Sequence, residues 1–462
     1  MKCITNYYIE LKEEIEVNFI FEKCAISTCL TIPNHNLETK SGFGFLRLSI
    51  EFDLKDYEAL SDASIFVRPR YLSLLGIISF LLEKPFDVFW IASDSYVFSE
   101  GIGGLKISNE KKLSKNKKNL TIELTELIEA LEKSKEHEKS LIFSLLDRWR
   151  KALYLEKDTD ESLLFNDEAI LSYFHVLELL GDVYANLLKN KSKKIIEDFV
   201  NEFNKEVLSF NNLSLENENI AKSKLLTALL EKDISVSSKI LFFLKEFNLY
   251  NSSTAFWIKN IIDERNNVAH GRRVHYHKAV FPVRPFFPLN STSLYPLKYL
   301  RILTAKVIAS HLKISAFENR WKKIENNLIN DAKCVKDFLE LDEFPTIEEI
   351  NDEEEKNIYG GINFFVLNGN IKPILTEKYF EYYLNVLSKD EDFLTNNIDA
   401  IVILYESTKN KELELKLENA IITIYELDCN PHMKFRDMRY HLDFNNFDSP
   451  KLENLIIQKR IR

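Results

Sequence analysis

The spacing of apolar residues changes once along this 462-residue chain, and that change limits the folds open to it. In residues 15–22 and 46–54, apolar and polar residues alternate, as in strands with one buried face. From about residue 121 onward, apolar residues recur every three or four positions, as on one face of a helix. With only 11 glycines and 11 prolines in the chain, the pattern predicts a mainly α protein with an N-terminal α+β domain.

Further elements follow from the same reasoning. The N-terminal domain should contain a buried helix at residues 71–82 and a pair of strands at 86–92 and 96–98, separated by a Ser-Asp-Ser turn. Leu141, Leu145, Trp149 and Ala152 share one helical face, and a helix that Asn166 could cap follows them. Later helices are expected at residues 220–231, 236–247, 254–270, 295–314, 377–387, 397–405 and 411–427.

Two charged stretches suggest where domains end. Residues 106–119 are basic and rich in asparagine, and residues 337–355 contain ten acids and no cation; both are typical of solvated linkers. The predicted order is an α+β sensing domain at 1–110, a linker with a lead-in helix at 111–135, a central helical bundle at 136–320, an acidic linker at 337–356 and a helical C-terminal domain at 357–462.

Composition indicates a cytoplasmic protein. Five scattered cysteines without a C-x-x-C pair indicate neither a disulfide framework nor a zinc site. The N-terminus carries glutamates where a signal peptide would need an apolar run. The most apolar segment, residues 71–82, is shorter than the ~20 residues of a membrane span. We therefore expect no membrane association, no metal and no cofactor.

Residues 265–317, the acid-free window, contain no Asp or Glu, although the chain's 71 acids in 462 residues would place about eight there by chance. The chain has a net charge of -10, so cations are concentrated here against the overall balance. An anionic ligand is the simplest interpretation. The nine cations are Arg265, Arg272, Arg273, Lys278, Arg284, Lys298, Arg301, Lys306 and Lys313.

The window begins at the end of the predicted helix 254–270 with Arg265, Asn266 and His270. Imidazole can move protons and guanidinium can stabilise charge on phosphoryl oxygens, which suits phosphodiester cleavage without a metal. On a continuous helix, residues five apart differ by about 140° in direction. Either the last turn opens, which Gly271 would permit, or two copies of the chain share the site.

Residues 138–315 resemble the HEPN superfamily of helical ribonuclease domains, through Arg265, Asn266 and His270 near a helix end. The flanking Ala269 and Gly271, and the upstream Phe-His-Val-Leu-Glu-Leu-Leu of residues 174–180, are similar to its Apea-like branch. The resemblance implies a HEPN-like bundle that cleaves RNA without a metal, by attack of the 2′-hydroxyl to leave a cyclic phosphate. It also implies homodimers and roles as toxins or in antiviral defence and abortive infection, with a phage-derived or protein activator.

Roles for single residues follow from that resemblance. His270 would be general base or acid, Arg265 would stabilise the transition state, and Asn266 would orient it. RNA-facing residues would be Arg272, Arg273, His275, His277, Lys278 and Arg284, although these also fit a plain loop.

Glu178 would support the site. It lies on an apolar helix face, where an unpaired carboxylate is costly, so it should meet Arg265 or Arg148. The alternative function is a non-catalytic HEPN-like protein that dimerises and senses a partner or an invader's component.

Overall fold

A computed structural model describes residues 2–32, 41–53, 63–86, 92–97, 111–114, 119–157, 166–209, 212–232, 234–269, 291–325, 328–346, 361–427, 442 and 447–459. The chain forms two compact units. The first unit comprises Met1–Asn248 with Leu294–Trp321, and the second comprises Leu249–Ser293 with Lys322–Arg462. The expected fold class is confirmed, since a small N-terminal sheet precedes a helical body.

The first unit begins with a six-stranded sheet in the order β5-β1-β4-β3-β2-β6. Every neighbouring pair of strands is antiparallel. The strands are β1 (Lys2–Glu10), β2 (Glu16–Phe21), β3 (Cys24–Cys29), β4 (Phe45–Asp53), β5 (Ala92–Val97) and β6 (Lys112–Ser114). Both strands predicted from alternation, β2 and β4, are confirmed.

The other four strands differ from the sequence prediction for physical reasons. Side chains of β1 and β3 are buried almost throughout, so these strands show no alternation. The predicted turn at residues 93–95 is wrong, because β5 runs through it and its backbone pairs with β1. Part of the predicted linker 106–119 is also a strand, β6, which pairs with β2.

Helices are the main elements of the remaining described chain. In chain order they are α1 (Ala63–Leu82), α2 (Asn119–Lys133), α3 (Glu136–Lys157), α4 (Asn166–Glu206), α5 (Asn212–Glu231), α6 (Val236–Glu246), α7 (Ser252–Ala269), α8 (Ser291–Leu312), α9 (Glu318–Glu325), α10 (Ala332–Leu339), α11 (Glu377–Leu387), α12 (Glu391–Ser407), α13 (Lys411–Glu426) and α14 (Pro450–Lys459). The helices expected at 220–231 and 397–405 begin earlier than predicted, because residues 212–219 and 391–396 are also helical.

Aromatic rings fill the core of the first unit. Trp149 of α3 lies 5.4 Å from Phe80 of α1, 6.2 Å from Tyr173 of α4 and 6.3 Å from Phe317 between ring centroids. A Cβ on Gly76 would lie 3.2 Å from Cβ of Leu146, so α1 and α3 pack closely there. Burial of this face explains the helical spacing of α3.

The second unit has its own core, built from α10 to α14 and residues 361–367, which are also helical. Two of its helices, α12 and α13, start at side-chain caps: Asp390 accepts a hydrogen bond from Phe393 N at 2.7 Å, and Asn410 accepts one from Glu412 N at 3.1 Å. Part of the predicted acidic linker packs here, since Phe344 joins the core and the Tyr383 hydroxyl donates to the Pro345 carbonyl. Residues 347–360 lie outside the described part of the chain.

None of the helices in the described ranges combines the length and the apolar composition needed to cross a membrane.

Candidate functional site

Helix α7, which carries the predicted site, is fixed at its first turn. The Asn251 side chain accepts a hydrogen bond from Thr254 N at 2.7 Å, as a helix cap does. The Asn251 amide also donates to Glu325 Oε1 at 3.1 Å, and the Ser253 hydroxyl donates to Asn330 Oδ1 at 3.1 Å. These bonds hold the beginning of α7 against the chain that follows α8.

The apolar face of α7 packs in the second unit. Trp257, Ile258 and Ile261 are buried, as their spacing predicts. The ring of Phe256 lies 5.4 Å from that of Phe365 and 6.4 Å from that of Phe364 between centroids. The beginning and middle of the helix are therefore anchored, so the direction of its last turn is set by packing.

Arg265 and Asn266 lie in that last turn, and both are half-buried. The Arg265 guanidinium donates through Nη1 to Oδ1 of Asn266 at 3.0 Å. An amide oxygen orients a guanidinium without neutralising its charge. This hydrogen bond fits the orienting role expected of Asn266.

The rest of the predicted catalytic and RNA-binding set lies outside the described residues. His270 directly follows Ala269, the last described residue of α7. Arg272, Arg273, His275, His277, Lys278 and Arg284 also fall in the segment 270–290, which is not described. Their roles stay predictions.

Two other cations of the acid-free window have structural partners in the first unit. Arg301 of α8 forms an ion pair with Glu156 of α3, and Lys306 forms one with Glu318. Both acids come from outside the window. For these two cations, carboxylates of the protein itself take the place of the expected anionic ligand.

The Arg301 ion pair belongs to a buried network. Glu156 also accepts a hydrogen bond from the Tyr173 hydroxyl at 2.8 Å, and the Trp149 indole donates to the Arg301 carbonyl at 3.3 Å. Burial raises the pKa of Glu156, although the neighbouring Arg301 acts in the opposite direction. Burial, with the charge of Glu156, also raises the pKa of Tyr173 well above its ordinary value. Sequence reasoning missed this network because its members lie far apart in the chain.

Glu178, the predicted supporting residue, lies on α4 of the first unit and is half-buried. Arg148 on α3 is exposed, and Arg265 belongs to the second unit. The pairing of Glu178 with either arginine stays a prediction.

His311 borders a cavity of about 780 Å³ in the first unit. No sequence pattern singled out this histidine. Its Nδ1 lies 3.1 Å from the Tyr184 hydroxyl. Burial lowers the pKa of His311, and the charge of Glu138 offsets part of this shift. His137, Lys133 and Lys313 line the same cavity. Tyr184 and His311 are 127 positions apart, so no local pattern could have signalled this contact.

Among the residues that the structure describes, no group of three or more His, Cys, Asp and Glu side chains is arranged to hold a metal ion.

No family model matches the chain, and comparisons with curated proteins and with solved structures give no match either.

Proposed function

We propose that the protein is a metal-independent endoribonuclease of the HEPN type, with its site at the end of α7. The observation that supports this most is the hydrogen bond from Arg265 to Asn266 at 3.0 Å. It orients a guanidinium in the last helical turn, and His270 follows in the sequence. Guanidinium and imidazole together can stabilise phosphoryl charge and move protons.

In the proposed reaction, the 2′-hydroxyl of a ribose attacks the adjacent phosphorus. One imidazole accepts the proton of that hydroxyl as the bond from O2′ to phosphorus forms. The bond from phosphorus to O5′ then breaks, and O5′ receives a proton from an imidazolium, leaving a 2′,3′-cyclic phosphate and a 5′-hydroxyl. His270 takes the base or acid role, with a second copy of the chain supplying the other, and Arg265 stabilises the charge on the phosphoryl oxygens.

RNA is the proposed partner, and residues 272–284 supply cations that bind its phosphates. Such binding weakens as salt rises, because counterions are released from the nucleic acid. The proposed setting is the cytoplasm, as a defence or toxin effector that acts as a homodimer under a phage-derived or protein activator.

The test is degradation of RNA in the presence of a chelator by the wild type and His270→Ala. We expect cleavage by the wild type that chelator leaves unchanged and the substitution lowers by about 10²–10⁴-fold. Cleavage that the variant retains would contradict the assignment of His270. Circular dichroism spectra of both proteins control for folding.

A second candidate function is a non-catalytic protein that dimerises and senses a partner or an invader's component. The observation in its favour is that Arg301 and Lys306 pair with carboxylates of the protein, so part of the window's charge serves the fold. This candidate predicts no cleavage by the wild type, with or without an activator.

A further inference from the structure

Helices α4 and α5 form an antiparallel hairpin in the first unit. Asn204 of α4 donates to Asn219 of α5 at 2.6 Å, and Asn219 donates to Asn201 at 2.9 Å. The side of α4 that faces α5 is formed by Ile196, Val200 and Asn204, all buried and spaced four residues apart. The seam between the two helices therefore combines apolar packing with hydrogen bonds between asparagines, which fix the pairing of the helices.

One flank of this hairpin is apolar and exposed. Ile195, Phe199 and Phe203 each precede a seam residue of α4 by one position, so they share a flank. The rings of Phe199 and Phe203 stack with centroids 6.1 Å apart. On α5, Leu225 and Leu229 lie on the corresponding flank. We call these five residues the hairpin face; each is between 40% and 68% exposed.

The opposite flank of the hairpin has a different character. It borders a cavity of about 930 Å³ whose lining includes Glu197, Asn201, Asn219 and Lys224. Ten of the twelve residues that line this cavity are polar, the exceptions being Ile220 and Ala228. The hairpin face, whose five side chains are all apolar, is therefore the more apolar of the two flanks, as contact surfaces are.

The size of the hairpin face suits a protein contact. Five side chains of this kind, roughly half exposed, present on the order of 500 Å² of apolar area. A stable interface takes about 800 Å² from each partner, of which about two thirds is apolar in homodimers. The hairpin face can supply the apolar part of one such half-interface.

The charges of α4 identify the partner. Residues 189–194 contain four lysines and no acid, whereas residues 197–206 contain four acids and one lysine. Lys194, Asp198 and Glu202 are all exposed beside the hairpin face. Within one copy, Lys191 pairs with Glu246 and Lys193 pairs with Glu197. Two copies of α4 that cross antiparallel near Phe199 place Lys189 and Lys194 of each near Glu202 and Glu206 of the other.

We propose that the hairpin face is the contact between two copies of this chain, with their α4 helices antiparallel. A two-fold axis across the hairpin sets α4 against α4 and α5 against α5, which buries both faces at once. This inference deepens the proposed function, which rests on a second copy of the chain, by naming the surface through which two copies meet; the contact itself needs neither Arg265 nor His270.

The test is sedimentation velocity of the full chain over a wide range of concentrations. The wild type should sediment as a dimer, and Phe199→Asp should raise the dimer dissociation constant at least about tenfold. Leu415→Asp is the matched control, because Leu415 lies on α13 and is 62% exposed, similar to Phe199. It should leave the dimer unchanged.

Charge reversal tests the antiparallel arrangement. Lys194→Glu and Glu202→Lys should each weaken the dimer, and the double variant should restore it. A monomeric wild type, or a Phe199→Asp variant that dimerises as tightly as the wild type, would overturn the proposal. Circular dichroism of each variant separates lost contact from lost folding, and RNA cleavage is scored separately.

Discussion

Arg265 and Arg301 come from the same acid-free stretch of sequence, but the structure uses them differently. Arg301 lies in the first unit with 14% of its side chain exposed and donates to the Glu156 carboxylate. Arg265 is half-buried in the second unit and donates to the neutral amide of Asn266. The Glu156 carboxylate offsets the charge of Arg301, and the Asn266 amide helps to orient the guanidinium of Arg265. A cluster of cations in a sequence therefore does not by itself mark a ligand site, since the partner of each cation decides its role.

The largest effect expected in this comparison is a loss of stability when Arg301 is substituted. Arg301→Met leaves Glu156 buried without its cation, which should lower the free energy of unfolding by about 3–5 kcal/mol. Denaturation by urea, followed by circular dichroism, measures it. In the double variant with Glu156→Leu most of the loss should be recovered. A loss below about 1 kcal/mol would show that the ion pair is not structural.

Substitution of Arg265 should instead lower the rate of RNA cleavage and leave the free energy of unfolding nearly unchanged. Arg265→Lys keeps the charge but removes the planar donor set, so RNA cleavage should fall by about 10²–10³-fold. The free energy of unfolding should change by less than about 1 kcal/mol. Lys298→Ala, at an exposed cation of the same window, is the control and should leave cleavage near the wild-type rate.

Asn266 offers a smaller and more specific test. In Asn266→Ala, Arg265 loses an orienting acceptor, and we expect cleavage to fall about tenfold, equivalent to one hydrogen bond. Asn266→Asp should lower cleavage further, because a carboxylate beside Arg265 would offset the positive charge that the guanidinium presents to the phosphoryl oxygens. Single-turnover rates on one RNA substrate distinguish the two variants. Faster cleavage by Asn266→Asp than by Asn266→Ala would refute this view of the amide.

The smallest expected effect concerns pH and the first unit. Burial lowers the pKa of His311 in the folded state, so the unfolded chain binds a proton more readily. Stability should therefore be complete above the ordinary histidine pKa of about 6.5 and fall as pH decreases below it. His311→Asn should remove this part of the slope in plots of melting temperature against pH. An unchanged slope would contradict the assignment.

The sequence predicted those strands and helices in which apolar residues recur at a regular local spacing. Alternation predicted β2 and β4, and helical spacing predicted α3, α7 and α11. In β4 the alternation lies in the residue types, although the polar Ser49 is buried as well. The strands β1 and β3 bury both faces and carry no such pattern, and β5 is a polar segment that pairs through its backbone.

For the candidate site, adjacency in sequence was enough to suggest Arg265 and Asn266. The ion pair between Arg301 and Glu156 joins residues 145 positions apart, and no periodicity reports such a contact. The structural partners of the window's cations were therefore not predictable from one sequence.

The most direct test of the proposed function is the chemistry of the RNA ends. Mass spectrometry of RNA treated in chelator with wild-type protein should find fragments with a 2′,3′-cyclic phosphate and a 5′-hydroxyl, and Arg265→Lys should yield almost none. Fragments with a 5′-phosphate, or equal yields from the two proteins, would contradict cleavage by the site at the end of α7.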